Sequence, residues 1–411
     1  MPRDGVEGFA TTKAAVLSAL PTRSVGAVTG LLAAITDAHS LSPSERERLV
    51  SAYGSIGSFL KEDPQFQDVA VRVHVQGSML IGTTTRPEGK SEMDVDLVLL
   101  LIRGLEHRVP CTTLLNALYA SLEIYAKRHD LAATRKCRCV QLQYTGQMHA
   151  DVTPVIWSPR PHLHGQHHGL VPDRELTAYN GTNPEGYGFW FADAASRVPS
   201  FSLRRELETM AKAELSPLPP LAVFDRLLSR IIQAFKIHRN IMFRNEPALA
   251  PTSTFITTLG TKAYIAACSQ SFSSPLDLIF HIWSEMPRWI EVEYTHAGPE
   301  WIVLNPTAPE DNLAHRMNSA ERQAAFRKWH ERFGGDLLRL LELHLGAPPQ
   351  LDDLTKSVTK SFGERASRGV TNGIRAAVDS QRSRSIVILP GAAAAPLILE
   401  STPHRFFGRG H

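Results

Sequence analysis

The segment from Val73 to Leu101, VHVQGSMLIGTTTRPEGKSEMDVDLVLLL, carries the pattern on which the fold is built. It divides into a strand, a Gly-Ser turn, a short helix and a second strand that opens on two carboxylates, Asp94 and Asp96, before running on as Leu97-Val98-Leu99-Leu100-Leu101. Side chains alternate along a strand, so Asp94 and Asp96 point the same way, roughly 6–7 Å apart. A third acid, Asp151, stands in Met148-His149-Ala150-Asp151-Val152-Thr153-Pro154-Val155-Ile156, another strand-like run with apolar neighbours. Acids buried at the start of an apolar strand are costly unless compensated, and metal coordination is the usual compensation. Asp94, Asp96 and Asp151 are therefore expected to be both catalytic groups and metal ligands. Together they would hold two Mg²⁺ ions, for which Mn²⁺ can substitute, roughly 3.5–4 Å apart.

Gly77 and Ser78, with Gln76 before them at the strand end, supply the other half of the chemistry. Glycine lets the backbone approach a triphosphate closely, and amides and a hydroxyl that follow a strand and open a helix form an anion cradle. Either a Gly-Ser pair or an Asp-x-Asp pair alone carries little weight; their order along one strand-turn-strand unit carries much more. Further along, Leu221 to Phe243 reads as one long helix with Lys236, His238 and Arg239 on it. Lys236 and Arg239 are one turn apart and can face the same cleft. Two readings of Lys236 stand: it meets the triphosphate, or it belongs to a solvated basic face. Ser253 and Thr254 are expected to begin the next helix, where free N–H groups and a hydroxyl again suit phosphate. Tyr187 and Trp190 suit either base stacking or buried packing.

These motifs, taken in order, resemble a known family. GSMLIGTTTRP, DVDLVLLL and HADVTPVIW look like the nucleotidyltransferase signature of the bacterial cyclic-oligonucleotide synthases of anti-phage signalling, the CD-NTases. The likeness continues through Asn183-Pro184-Glu185-Gly186-Tyr187, through Phe235-Lys236-Ile237-His238-Arg239 and Thr252-Ser253-Thr254-Phe255, and into Asn305-Pro306 and Glu310-Asp311-Asn312. It implies an α/β (α+β) chain: a polymerase-β-like palm with a mixed sheet, closed by a C-terminal helical lobe. The reaction it implies is attack of a ribose hydroxyl on the α-phosphate of an NTP, repeated until a cyclic di- or trinucleotide closes, with ATP among the substrates. Rival readings are an enzyme that adds nucleotides to RNA ends or to a small acceptor, and a catalytically inactive binding subunit. The spacing from Ser78 to Asp94 is longer than in many polymerase-β-like enzymes, and the sequence beyond about residue 350 has no counterpart in the resemblance.

Composition sets the outer bounds. The 411 residues, 43% hydrophobic and 21% charged, suffice for two globular lobes. A formal net charge of +3 gives no support to a nucleic-acid activator or to a basic RNA track. Cys111, Cys137, Cys139 and Cys268 lack the spacing of a disulfide scaffold and fit a reducing cytoplasm. The N-terminus lacks the apolar core of a signal peptide, and the longest apolar stretch, Ile386 to Leu399, is too short to span a membrane. Helical periodicity from about Thr11 to Leu60 predicts a brace beside the sheet, with a helix start at Ser42-Pro43-Ser44-Glu45. Period-two alternation from Cys137 to Tyr144 predicts a strand that carries both cysteines on one face. The histidines His162, His164, His167 and His168 suit a zinc site or a solvated loop. The expected division is a catalytic lobe with N-terminal helices over 1–201, a helical lobe over 202–350 that stays helical to about Leu345, and a weakly structured tail over 351–411. That tail either offers a grip to a regulatory protein or packs on the helical lobe.

Overall fold

The computed structural model describes residues 22–88, 93–145, 148–160, 167–201, 226–296, 298–345 and 351–383. In chain order, α1 (Thr22–Ala38) and α2 (Pro43–Glu62) lead to β1 (Ala70–Val75), the one-turn α3 (Gly77–Leu80) and β2 (Met93–Leu101). Next come α4 (Cys111–Arg128), β3 (Ala132–Arg135), β4 (Val140–Tyr144), β5 (Met148–Trp157), β6 (Gly169–Asp173), β7 (Ala178–Thr182), α5 (Pro184–Ser196) and β8 (Ser200–Phe201). The second half holds α6 (Leu227–Met242), α7 (Ser253–Ala267), β9 (Ser271–Phe272), α8 (Pro275–Glu285), β10 (Glu291–Thr295), β11 (Gly298–Ile302), β12 (Leu304–Asn305) and β13 (Ala308–Asn312). It closes with α9 (Ala320–Leu345) and α10 (Leu351–Ser383).

A seven-stranded mixed sheet runs in the order β1-β2-β5-β4-β3, with β6 and β7 continuing from β5. Only the pair β2–β5 is parallel within it, and its register sets Asp94 opposite His149 and Asp96 opposite Asp151. Period-two alternation explains the rest of β2: Val95, Leu97, Leu99 and Leu101 are all fully buried against α2 and α4, which turns the acids to the opposite face. The start of α2 is as the sequence predicts, with Ser42 as N-cap, Glu45 completing a capping box, and proline in the first turn.

A second core lies among α6, α7, α8, α9 and α10, built on Phe235, Phe255, Trp329 and Phe333. Here the structure departs from the expectations in four ways. Leu32 and Ile35 of α1 sit in this helical core, while α2 alone of the two N-terminal helices covers the sheet. Residues 291–312 are not helical but form two hairpins, β10–β11 and β12–β13. Glu291–Thr295 is exposed at every position and so presents no apolar stripe for a helix to bury. Cys137 and Cys139 lie in the turn before β4, not on a strand. Finally, residues 351–383 form a helix that buries Leu354, Val358, Phe362, Ala366 and Val370, at every fourth position, against the helical core. The helix kinks at Gly363, whose φ is 90°, and just past the kink the Arg365 N–H donates to the Glu88 carboxylate. Residues 384–411, where the regulatory partner was expected to grip, lie outside the described residues.

Candidate active site

The acids come together at the N-terminal ends of the parallel strands β2 and β5. One donor atom from each of Asp94, His149 and Asp151 lies within 4.8 Å of the others. His149 Nε2 is 3.1 Å from Asp94 Oδ1, and Gln141 Nε2 donates to Asp151 Oδ1 at 2.9 Å. Burial raises the Asp151 carboxyl above its ordinary range, helped by the Asp94 charge. Burial, then the charges of Asp94 and Asp151, push Asp96 up to about 7, against the pull of Lys236 and His149. Carboxylates that raise one another in this way are short of positive charge. The donor set, oxygen-rich with one imidazole, fits a divalent cation. Cys139 sits against the same group; burial and the carboxylates of Asp151, Asp96 and Asp94 keep its thiol protonated.

Asp96 faces the cradle. A Cβ built on Gly77 would lie 2.1 Å from Asp96 Oδ2, and Gly77 has a φ of +61°. Both facts require glycine there. The backbone N–H of Gln76 donates to the Asp96 carbonyl at 2.8 Å, and its side-chain amide reaches Thr153 Oγ1 at 3.3 Å. Ser78 Oγ lies 3.1 Å from Thr84 Oγ1. Thr83 is fully buried and accepts a 2.8 Å hydrogen bond from Lys236 Nζ.

Lys236 is thus turned inward. It is 4% exposed and lines the same cavity as Gly77, Ser78, Asp94 and Asp96. Burial, then the Arg239 charge, lowers its ammonium to about 7, while Asp96 works the other way. Arg239 does not join it. Its guanidinium donates to the Pro251 carbonyl at 2.7 Å and to Ser253 Oγ at 2.9 Å, fixing the approach to α7. Ser253 and Thr254 open α7 after the N-cap Thr252 and line the cavity, both exposed. Tyr187 also borders it, with its hydroxyl 2.9 Å from Thr258 Oγ1, while Trp190 packs against the helical core.

The cavity holds about 530 Å³, and its far end contains groups that the sequence reading passed over. Arg138 donates to Asp173 Oδ2 at 2.7 Å and lies 3.9 Å from Asp311, joining the sheet to β13. Although burial works the other way, hydrogen bonds from the Leu176 N–H and from Arg138 hold Asp173 at about 2. Burial raises Asp311 despite its contacts with Asn305 and Arg138. Of the four histidines, His167 pairs with Glu185 at 2.8 Å, and His168 bonds the Ser158 carbonyl and Glu310. His162 and His164 lie outside the described residues, and among the described ones the only metal-capable group is that of Asp94, His149 and Asp151. His149 was legible: it stands two residues before Asp151 and so on the same face of its strand.

The fold, a mixed sheet facing a helical half across this cleft, is that of a polymerase-β-type nucleotidyltransferase. Residues 31–194 match the Second Messenger Oligonucleotide or Dinucleotide Synthetase domain. A c-di-GMP synthase of Roseivirga ehrenbergii is 32% identical over 300 residues, covering 69% of this chain and 71% of the relative. The cyclic dinucleotide synthase CdnG of Bradyrhizobium diazoefficiens is 25% identical over 320 residues, covering 73% and 71%. The structure of CdnG in complex with GTP superposes with a TM-score of 0.61 at 19% identity over 85% of this chain and 98% of that one. That of CdnC from E. coli MS115-1 with HORMA-deltaN gives 0.53 at 14% identity over 82% and 97%. The chain belongs to the bacterial CD-NTase family, as its motifs implied. It is a nucleotidyltransferase whose relatives make cyclic dinucleotides. Among the described residues no helix is long and apolar enough to cross a membrane.

Proposed function

We propose that this enzyme joins nucleoside triphosphates into a cyclic dinucleotide, with GTP as a substrate. The observation that carries the reading is the meeting of two walls in one cavity. Asp94 and Asp96 line it from β2, with Asp151 opposite Asp96 on the parallel strand β5, and Gly77, Ser78 and the buried Lys236 line it as well. In this reading Asp94, Asp96 and Asp151 hold the divalent pair, Mg²⁺ or Mn²⁺. Once bound, the ions supply neutralisation of the triphosphate and activation of the attacking ribose hydroxyl. The chain's own residues do the positioning. Gly77 lets the backbone approach the phosphates, and Gln76 ties the cradle to the strand that carries Asp151. Ser78 and Thr84 offer hydroxyls, and Lys236 places a point charge against the phosphate oxygens. Ser253 and Thr254 close the cavity from the helical side. Phosphoryl transfer depends chiefly on such positioning and electrostatics, so no covalent intermediate on the protein is needed.

The resemblance alone pointed to adenine. A c-di-GMP synthase at 32% identity favours guanine, so GTP is proposed first and ATP as the partner nucleotide to be tested beside it. The same reading places the enzyme in the cytoplasm and its product in anti-phage signalling, as the family implies. The test is incubation with all four NTPs and Mg²⁺, followed by mass spectrometry of the phosphatase-resistant products. A guanine-containing cyclic dinucleotide is expected. Linear, phosphatase-sensitive oligomers, or label transferred to added RNA, would overturn cyclisation in favour of end addition.

A further inference from the structure

His149 is placed like a ligand although it is not an acid. It precedes Asp151 by two positions on β5, and the parallel register sets it opposite Asp94. Its Nε2 is 3.1 Å from Asp94 Oδ1, and that nitrogen-and-oxygen set, with Asp151, spans no more than 4.8 Å. In an octahedral shell with ligands at about 2.1 Å, neighbouring donors stand about 3 Å apart and opposite ones a little over 4 Å, so these side chains need only small shifts to share one ion. Asp96 is not part of this donor group and lies beside Gly77, where an added Cβ would come within 2.1 Å of its Oδ2.

We infer that His149 is a nitrogen ligand to the ion shared by Asp94 and Asp151, and that it tilts this position toward Mn²⁺ over Mg²⁺. The inference rests on the cavity being the metal-dependent transfer site proposed above. Mg²⁺ favours oxygen donors and sheds its water reluctantly, whereas imidazole suits first-row transition ions. Mn²⁺ is the ion of that row that also accepts a shell otherwise made of carboxylate and water. A purely structural His149 would serve as a partner of Asp94 without contacting an ion. Its removal would then free a carboxylate and leave ion binding unchanged or tighter. Because His149 lies on the cleft face of β5 and not among the apolar residues behind it, its replacement leaves the sheet's core untouched.

The test uses the full chain without nucleotide and Mn²⁺ alone as the probe. Pulsed electron paramagnetic resonance of the wild type is expected to show the ¹⁴N coupling of a bound imidazole. That coupling should vanish in both His149→Gln and His149→Ala. Mn²⁺ binding should weaken about tenfold or more, the scale on which metal sites respond to the loss of a ligand's support. Mg²⁺ affinity, measured by competition, should change by less than about threefold. Absence of the nitrogen coupling in the wild type, or unchanged Mn²⁺ affinity in both variants, overturns the role of His149. Asp151→Asn distinguishes loss of the nitrogen ligand from loss of the metal site. If it abolishes Mn²⁺ binding while the His149 variants do not, only the nitrogen ligand is wrong. If it too leaves binding intact, the metal site itself is wrong and the inference falls with it.

Discussion

Asp94 and Asp96 line the cavity from β2, with Asp151 in register beside them on β5, whereas Lys236 and Ser253 reach it from helices of the other half of the molecule. The two walls carry opposite electrostatic problems. On the strand wall, burial and the Asp94 charge raise Asp96 and Asp151, so their charged forms are short of a cation. On the helix wall an ammonium is buried with a threonine hydroxyl for company and is short of an anion. Each wall lacks what a metal–triphosphate complex would bring. The free protein thus keeps cost on both walls, which the mutual pull of Asp96 and Lys236 relieves only in part and which cations and phosphate would relieve further.

The strand wall should be the more sensitive to substitution. Asp151→Asn or Asp94→Asn is expected to lower turnover by about 10³-fold or more, since metal-derived stabilisation amounts to several kcal/mol and each 1.36 kcal/mol is tenfold. The check is conversion of labelled GTP beside an unchanged circular dichroism spectrum. Near-normal product would remove the acids from the chemistry.

Gly77→Ala tests the seam between the walls. The added methyl would meet Asp96 Oδ2 at 2.1 Å on a backbone with φ of +61°, so Asp96 or the cradle must move. Misplacement by about 1 Å can cost on the order of 10²-fold, and a loss of that size is expected in kcat/KM. A variant as active as the wild type would show that the Asp96–Gly77 contact does not set catalytic geometry.

The helix wall should respond more mildly and in a different parameter. Lys236→Ala is expected to raise KM for NTP about tenfold, with a smaller fall in kcat, because a point charge on the triphosphate acts before as well as during reaction. Steady-state kinetics at low salt decides it. An unchanged KM would return Lys236 to a structural role beside Thr83.

The smallest effect concerns stability of the metal-free protein. Asp96 titrates near 7 when folded and near 3.8 when unfolded, so its favourable contribution is complete below about pH 4 and is lost as pH rises through 7. Asp96→Asn has no such loss. Its melting temperature should match the wild type near pH 4 and exceed it by a few degrees at pH 8, and saturating Mn²⁺ should narrow the gap. Parallel melting curves across that pH range would refute the charge-crowded picture of the strand wall.

Much of the strand wall was legible because strand geometry is local. Two acids at alternate positions share a face whatever the rest of the chain does, and the apolar residues between them bury the other face. The same rule could have found His149. The helix wall was legible only in part: Lys236 was expected in the cleft, but so was Arg239, which is spent instead on Pro251 and Ser253. Arg138 and Asp311 lie far apart in the chain and meet only because β13 packs beside the sheet. No local pattern announces such a pair.

By itself, the order of residues determined the two acid-bearing strands, the Gly77 turn, the start of α2 and, through motif resemblance, the family, while the parallel pairing of those strands is a matter of the folded sheet. These are matters of period, backbone freedom and short-range hydrogen bonds. Tertiary packing alone decided that α1 belongs to the helical core, that residues 291–312 turn into hairpins, and that 351–383 docks as a kinked helix with Gly363 against Glu88. It also decided which basic side chain is turned inward and left short of a counter-charge. In each case the deciding term is where apolar surface can be buried, and that depends on partners distant in sequence.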